Sequence, residues 1–266
     1  MDVAEIKQRS AKTWGLGDYS MLSGMLEPAA VALADACAVS AGQEVLDVAA
    51  GDGNFALACA REGAKVVASD LSPGMVERGR KRSQEEGFEI EWQVADAEEL
   101  PFEDGRFDCV GSSFGAMVAP RPEVAARELF RVVRAGGTVG MTAWQPGSFT
   151  AELIRLLRKH GPPQPELPLP EEWGVEETVR QRFGDLAGSI HFEQGQLVHE
   201  GESPEALVER LAATVPTMVG VKELLSEEEF HALLEELREL ARRFNQGDGS
   251  ARIPTEYLLI VAHKRG

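Results

Sequence analysis

Three carboxylates and two glycines carry the chemistry legible in this chain: Asp47, Gly51, Gly53, Asp70 and Asp96. In EVLDVAAGDGNFA, Glu44 to Ala56, an apolar run reaches Asp47, passes through Ala49, Ala50, Gly51, Asp52 and Gly53, and enters NFALACAREG, which has helical spacing. A strand, a tight glycine loop and a helix N-terminus present backbone N–H groups and the positive end of a helix dipole to a polar ligand. Two readings of this loop compete. Gly51, Gly53 and Ala56 match G-x-G-x-x-G/A, a dinucleotide signature. A strand ending in Asp47, followed by small residues at alternate positions, fits an adenosyl sulfonium compound instead. Asp70, about 20 residues past the loop, stands where a carboxylate accepts both ribose hydroxyls under either reading. Asp96 separates them. It closes the alternating segment before VADAEELPFEDGRFDCV turns, where a short carboxylate or its neighbouring amides meet the exocyclic amine of an adenine. A dinucleotide site calls for no such sequence.

These residues need a scaffold, and the chain alternates strand and helix to supply one. Residues 25–39 read as a helix with Pro28 near its first turn, where a missing N–H costs little. A strand at 44–48, a helix at 53–62 and a strand at 65–69 follow. Ser72-Pro73 opens a helix to about residue 86, with Ser72 as N-cap and Pro73 at the first helical position. Strands are expected at 89–95 and 106–113, then a helix at 122–133 that stops at Ala135-Gly136-Gly137, and a strand at 138–144. Such alternation argues for a parallel sheet covered by helices on both faces. After residue 145 a helix at 148–160 leads into HGPPQPELPLPEEWG, a surface loop by its prolines. A strand at 189–200, helices at 203–214 and 226–245, and a strand at 255–265 complete the chain. The last two strands, lacking a regular crossover, predict an antiparallel addition at the sheet edge.

Composition narrows the partners. At 266 residues the chain has room for one sizeable α/β domain with an accessory element. MDVAEIKQRSAKTWGLGDYS lacks the apolar core of a signal peptide, and no apolar run approaches the roughly 20 residues that span a bilayer, so a cytoplasmic protein without a membrane partner is expected. Cys37, Cys59 and Cys109 are widely spaced and read as buried apolar groups, not as a metal or disulfide set. A net charge of −17 repels a phosphate backbone and disfavours nucleic acid. The basic run ERGRKR, Glu77 to Arg82, reads as a solvated helix face.

Four segments in order, EVLDVAAGDGN, VVASDLSPGMVERGR, ADAEELPFEDGRFDCV and ELFRVVRAGGTVGMTAW, resemble the consecutive motifs of the class I S-adenosylmethionine-dependent methyltransferases across roughly residues 40–145. The resemblance is to small-molecule, UbiE or type 11-like members. It implies a Rossmann-like, doubly wound, seven-stranded and mostly parallel α/β sheet with an antiparallel C-terminal strand, plus helical lid elements. It further implies a 1–40 N-terminal helical cap, a 41–145 cofactor-binding core, a 146–250 substrate lid carrying a sheet strand near 189–200, and a 251–266 C-terminal strand, all within one structural domain. Carried over by position, Asp47, Ala49, Gly51 and Gly53 would hold the methionine end of S-adenosyl-L-methionine. Asp70 with Leu71 would take the ribose, Met75 the adenine face, and Asp96 with Ala97 the adenine edge, with Ser112 alongside. Ala49 departs from the family's first glycine, and Ala135 stands where a proline commonly precedes the glycine pair.

Trp14, Tyr19, Phe114 and Trp144 are the aromatics expected near a small-molecule acceptor, each with ordinary core filling as the competing reading. His160 sits beside the predicted lid, and equally suits a helix C-terminus through its favourable interaction with the dipole. Methyl transfer is an in-line displacement at an already activated carbon, so positioning supplies much of the rate. A base is required only where the acceptor must lose a proton, and no residue declares itself as one. Two alternatives stay open: an NAD(P)-dependent oxidoreductase and a non-catalytic adenosyl-binding module. Against the first, neither Tyr19 nor Tyr257 is followed by a lysine four residues on.

Overall fold

The apolar runs form a seven-stranded sheet in the computed structural model, which describes residues 2–161 and 167–266. Strands β1 (Glu44–Val48), β2 (Lys65–Asp70), β3 (Ile90–Val94), β4 (Phe107–Ser113), β5 (Val133–Trp144), β6 (Ala187–Gly201) and β7 (Ala251–Lys264) lie in the order β3-β2-β1-β4-β5-β7-β6. The first five strands pair in parallel, while β7 runs antiparallel to both β5 and β6. Val45, Leu46, Val48, Val110 and Val139 are fully buried, as expected of parallel strands covered on both faces. Strand order reverses between β1 and β4, and a crevice opens at the carboxyl ends of strands at such a point.

Helices α2 (Ser20–Ala36), α3 (Asn54–Arg61), α4 (Pro73–Glu85) and α5 (Pro122–Val132) pack on this sheet. Beyond the pair Trp144↔Tyr257, β6 and β7 continue as a two-stranded ribbon to Gly201↔Ala251. Helices α6 (Phe149–His160), α8 (Pro204–Thr214), α9 (Pro216–Lys222) and α10 (Glu227–Phe244) bury a second core against the end of that ribbon, including Phe149, Leu153, Leu211, Leu237 and Ile253. Helix α10 contributes Leu233, Leu237 and Leu240 at helical spacing, and the reciprocal Ser226–Glu229 capping box starts it.

Several expectations are corrected. Helix α2 starts at Ser20, so Pro28 lies well inside it. Helix α5 ends at Val132, and Ala135-Gly136-Gly137 belongs to β5, where Gly136 at φ +69° accompanies a register shift against β4. A glycine bulge there, not a helix exit, explains the glycine pair. Ser72 occupies the N-cap of α4, but its hydroxyl caps nothing and is buried without a partner, while its backbone N–H is given to Asp70. Helix α1 (Val3–Trp14) falls within the helical cap expected over 1–40, whereas α7 (Glu176–Phe183) and α9 correspond to no expected element. Of the proline-rich stretch, residues 162–166 lie outside the described residues. Pro170–Gly174 forms a 3-10 turn with Trp173 buried, and a Cβ on Gly174 would come within 2.2 Å of the Trp144 carbonyl. Strand β7 begins at Ala251 and lies between β5 and β6, which makes β6 the edge.

Candidate functional site

At the carboxyl ends of β1, β2, β4 and β5 lies a cavity of about 270 Å³, covered by α1 and the start of α2 and walled by α6, α8 and α9. The loop leaving β1 shapes one end. Ala49, Gly51 and Gly53 take φ of +53°, +59° and +95°, so the chain enters the left-handed region three times in five residues. Glycine suits that conformation and alanine resists it, which is why a glycine is usual at position 49. A Cβ on Gly53 would lie 2.8 Å from Trp92, and one on Gly115 would lie 2.1 Å from the Ala49 carbonyl. Both glycines are required by close approach.

Asp70 holds the loop from the neighbouring strand. Its Oδ2 accepts from the Gly51 N–H at 2.9 Å and its Oδ1 from the Ser72 N–H at 2.8 Å. Burial raises its pKa from 3.8 to about 6, with the two amides pulling the other way. Asp47 lies below the loop, where Oδ2 accepts from the Ala56 N–H at 2.9 Å while Oδ1 is buried without a partner. Burial, reinforced by Asp70 and Asp52, pushes its carboxyl well above the usual range. Asp52 is also raised, chiefly by burial, although Ser23 and the Arg82 guanidinium at 3.3 Å act against this. The Tyr19 ring lies against Gly51, and burial beside these acids keeps its hydroxyl protonated.

Of the residues singled out in the sequence, Trp14, Tyr19, Ala49, Gly51, Asp70, Leu71, Met75, Asp96, Ala97, Phe114 and Trp144 line this one cavity. Asp47, Gly53 and Ser112 do not line it but support it from below. The Ser112 hydroxyl donates to the Val48 carbonyl at 2.6 Å and accepts from the Ala116 N–H at 2.8 Å, tying β4 to the end of β1. His160 is away from the cavity. It closes α6, and its Nε2 lies 2.8 Å from Glu236 on α10. At the other end, Phe114 and Trp144 stack with centroids 4.0 Å apart, and Tyr257 meets Phe114 edge-on.

Other lining residues escaped the sequence reading. Lys7 on α1 places Nζ 2.6 Å from Asp96 and 2.5 Å from Glu98, whose side chain is fully buried and also bonded by Arg121. Nothing in the polar pattern of α1 marks that lysine. Asp52, between the two glycines, was visible as a residue type without a reason to turn inward. His199 had a signal: in β6 it is buried in phase with Leu197, on the inward side of the alternation.

The donor set fits an adenosyl sulfonium ligand. A loop of small residues leaves room for close approach, an unpartnered carboxylate oxygen lies beneath it, and acids at Asp70 and Asp96 stand at successive strand ends. The family model described as a methyltransferase domain matches residues 45–137. An uncharacterised protein of Mycobacterium tuberculosis is 34% identical over 261 residues, covering 95% of this chain and 93% of that one. A demethylmenaquinone methyltransferase of Clavibacter sepedonicus is 44% identical over 109 residues, or 41% of this chain and 44% of its own. The crystal structure of a methyltransferase-like protein from Bacillus halodurans superposes with a TM-score of 0.62 at 21% identity, covering 89% of this chain and 99% of that one.

The fold is that of a Rossmann-like methyltransferase. The chain belongs to the class I S-adenosylmethionine-dependent methyltransferases, and S-adenosyl-L-methionine is its cofactor. Among the described residues no group of His, Cys, Asp and Glu could hold a metal ion, no helix is long and apolar enough to cross a membrane, and the three cysteines are free and buried.

Proposed function

We propose that the cavity holds S-adenosyl-L-methionine along the ends of β1, β2 and β3 and a small, uncharged acceptor against Phe114 and Trp144. The observation that carries this reading is electrostatic. Asp52 and Asp70 line the glycine-loop end and Asp47 lies beneath it, with the Arg82 guanidinium as the cation nearest Asp52. Each carboxylate is held above its ordinary pKa by burial, a cost that a cationic ligand relieves and a pyrophosphate worsens. The same argument disfavours the dinucleotide.

In this arrangement Asp70 and Leu71 take the ribose, Met75 the adenine face, and Asp96 with Ala97 the adenine edge. Ala49 and Gly51 meet the methionine end directly, while Asp47, Gly53 and Ser112 position the loop. The cofactor supplies an electrophilic methyl carbon, and the chain's own residues orient the acceptor and exclude water. The acceptor end is walled by Phe114, Trp144, Leu153, Ile154, Leu211 and Met218, while the charged lining residues Lys7, Asp52, Asp70 and Asp96 gather at the other end. No carboxylate lines the acceptor end among the described residues, so transfer rests on positioning and suits a carbon, nitrogen or readily ionised oxygen acceptor. Residues 1–40 act as the cap over the cofactor, and 146–250 as the acceptor lid. The −17 charge opposes nucleic acid as acceptor, and three free buried cysteines suit a reducing cytoplasm.

Calorimetric titration with S-adenosylhomocysteine, with NADH as control, tests the reading. Micromolar binding of the first alone is expected. Binding of NADH alone would return the loop to its dinucleotide interpretation, and tight cofactor binding with no transfer across a broad acceptor panel would indicate a non-catalytic module.

A further inference from the structure

One buried, titratable group of the lid, His199, borders the acceptor end of the cavity and also a second cavity lined by α2, β6 and α8. His199 on β6 is 6% exposed and lines the cavity together with Thr150 of α6. A short relay fixes its ring. The Thr255 hydroxyl accepts from the Thr150 N–H at 3.1 Å and donates to the Thr150 Oγ1 at 3.0 Å, and that oxygen lies 3.2 Å from His199 Nε2. Because Thr150 Oγ1 accepts a hydrogen bond from Thr255, its own O–H is free to donate to Nε2. A neutral imidazole that accepts at Nε2 carries its proton on Nδ1.

Nδ1 is bonded to no protein group among the described residues, and unlike Asp47 Oδ1 it is not sealed inside the protein. Burial, with Arg210 nearby, lowers the pKa of the ring to about 4, so the imidazole is uncharged at neutral pH and makes a poor base. An N–H donor with no protein partner, on a residue that lines the cavity together with Leu153, Leu211 and Met218, favours a ligand that supplies an acceptor atom.

We infer that His199 is a specificity-determining residue whose Nδ1–H donates a hydrogen bond to an oxygen, carbonyl or ring hydroxyl, of an uncharged and otherwise apolar methyl acceptor. This rests on the reading of the cavity given above. The relay is the reason the proton is on Nδ1, so Thr150 and Thr255 act through His199 and need not touch the acceptor.

Two probes of nearly equal shape separate this bond from general hydrophobic fit: acetophenone, and α-methylstyrene, in which a methylene replaces the carbonyl oxygen. Each is titrated into the full chain saturated with S-adenosylhomocysteine. Wild type should prefer acetophenone by about tenfold, as one added hydrogen bond to a buried donor provides. His199→Leu should erase the preference, and His199→Asn, which restores an N–H near the Nδ1 position, should recover part of it. The ring nitrogen spectrum of His199 should show a protonated Nδ1 that shifts with acetophenone and not with α-methylstyrene. Should His199→Leu fail to fold, that spectrum on wild type decides the matter. Equal affinity for the two probes, binding of neither, an unchanged preference in His199→Leu, or a proton on Nε2 would each overturn the inference. Failure of S-adenosylhomocysteine to bind wild type would instead overturn the assignment of the cavity itself.

Discussion

Replacing Asp70 with asparagine separates the cost of a buried charge from its use. In the free protein the rise from 3.8 to about 6 disfavours the ionised carboxylate by about 3 kcal/mol at neutral pH, and asparagine abolishes that penalty. Against this gain, the amide offers one oxygen where the carboxylate served both Gly51 N–H and Ser72 N–H, and a backbone donor left facing an NH₂ group costs about 1–3 kcal/mol. The two nearly cancel, so Asp70→Asn should fold and melt close to wild type. Cofactor affinity should not survive. Each carboxylate oxygen retains a lone pair for a ribose hydroxyl, and losing the charge from two such bonds costs about 2–4 kcal/mol, or about 30- to 1,000-fold in Kd. Calorimetry with S-adenosylhomocysteine and a denaturation curve read the two quantities separately. The sign of the pH effect adds a check. A carboxylate with a raised folded pKa costs stability above its ordinary 3.8 and nothing well below it, so the variant's charge-related advantage should vanish near pH 3. A folded variant that binds within threefold of wild type would refute the reasoning.

The same raised pKa governs wild-type binding: affinity should be flat above about pH 6 and fall by up to about tenfold per pH unit below it, measured by titration calorimetry across pH 5 to 8. Ala49→Gly relieves a left-handed alanine at φ +53°, worth about 1–2 kcal/mol, and loosens the unfolded chain by somewhat less, so the unfolding midpoint should rise slightly with binding unchanged. Gly115→Ala must displace the Ala49 carbonyl, 2.1 Å from the new methyl, and should weaken both stability and cofactor binding by more than tenfold in the same assays. Lys7→Ala removes the cation between Asp96 and buried Glu98, and hydrogen exchange should quicken across residues 3–14 while β1 and β4 remain protected.

The first five strands were legible because each is a short apolar run bounded by turn residues, and their strand-end acids follow from that placement: Asp70 and Asp96 could be located by counting. The sequence was equally clear about Asp47, yet burial removes it from the cavity, and only the position of Ala56 N–H above it shows why. The later half was harder. Prolines inside or beside helices blurred α2 and α9, since Pro28 is tolerated mid-helix while Pro216 opens a new one. The site's remaining residues, Lys7, Thr150 and His199, come from α1, α6 and β6, and only tertiary packing brings those elements to one end of the sheet. His160 shows the converse: a histidine beside the lid in sequence whose helix end points it at Glu236.

The placement of β7 between β5 and β6 has a consequence for synthesis on the ribosome. Strands β1 to β5 can pair as they emerge, because each neighbour but one is already made or follows within a helix's length. Strand β6 emerges with no bonding partner, since it never touches β5 and must wait through α8, α9 and α10 for Ala251–Lys264 to arrive. For that interval the nascent chain carries an unpaired fifteen-residue strand beside an unfinished sheet edge at β5, the kind of surface to which chaperones bind and neighbouring chains adhere. The helices that wall the proposed acceptor end, α6, α8 and α9, are therefore among the last parts of the molecule to become solid.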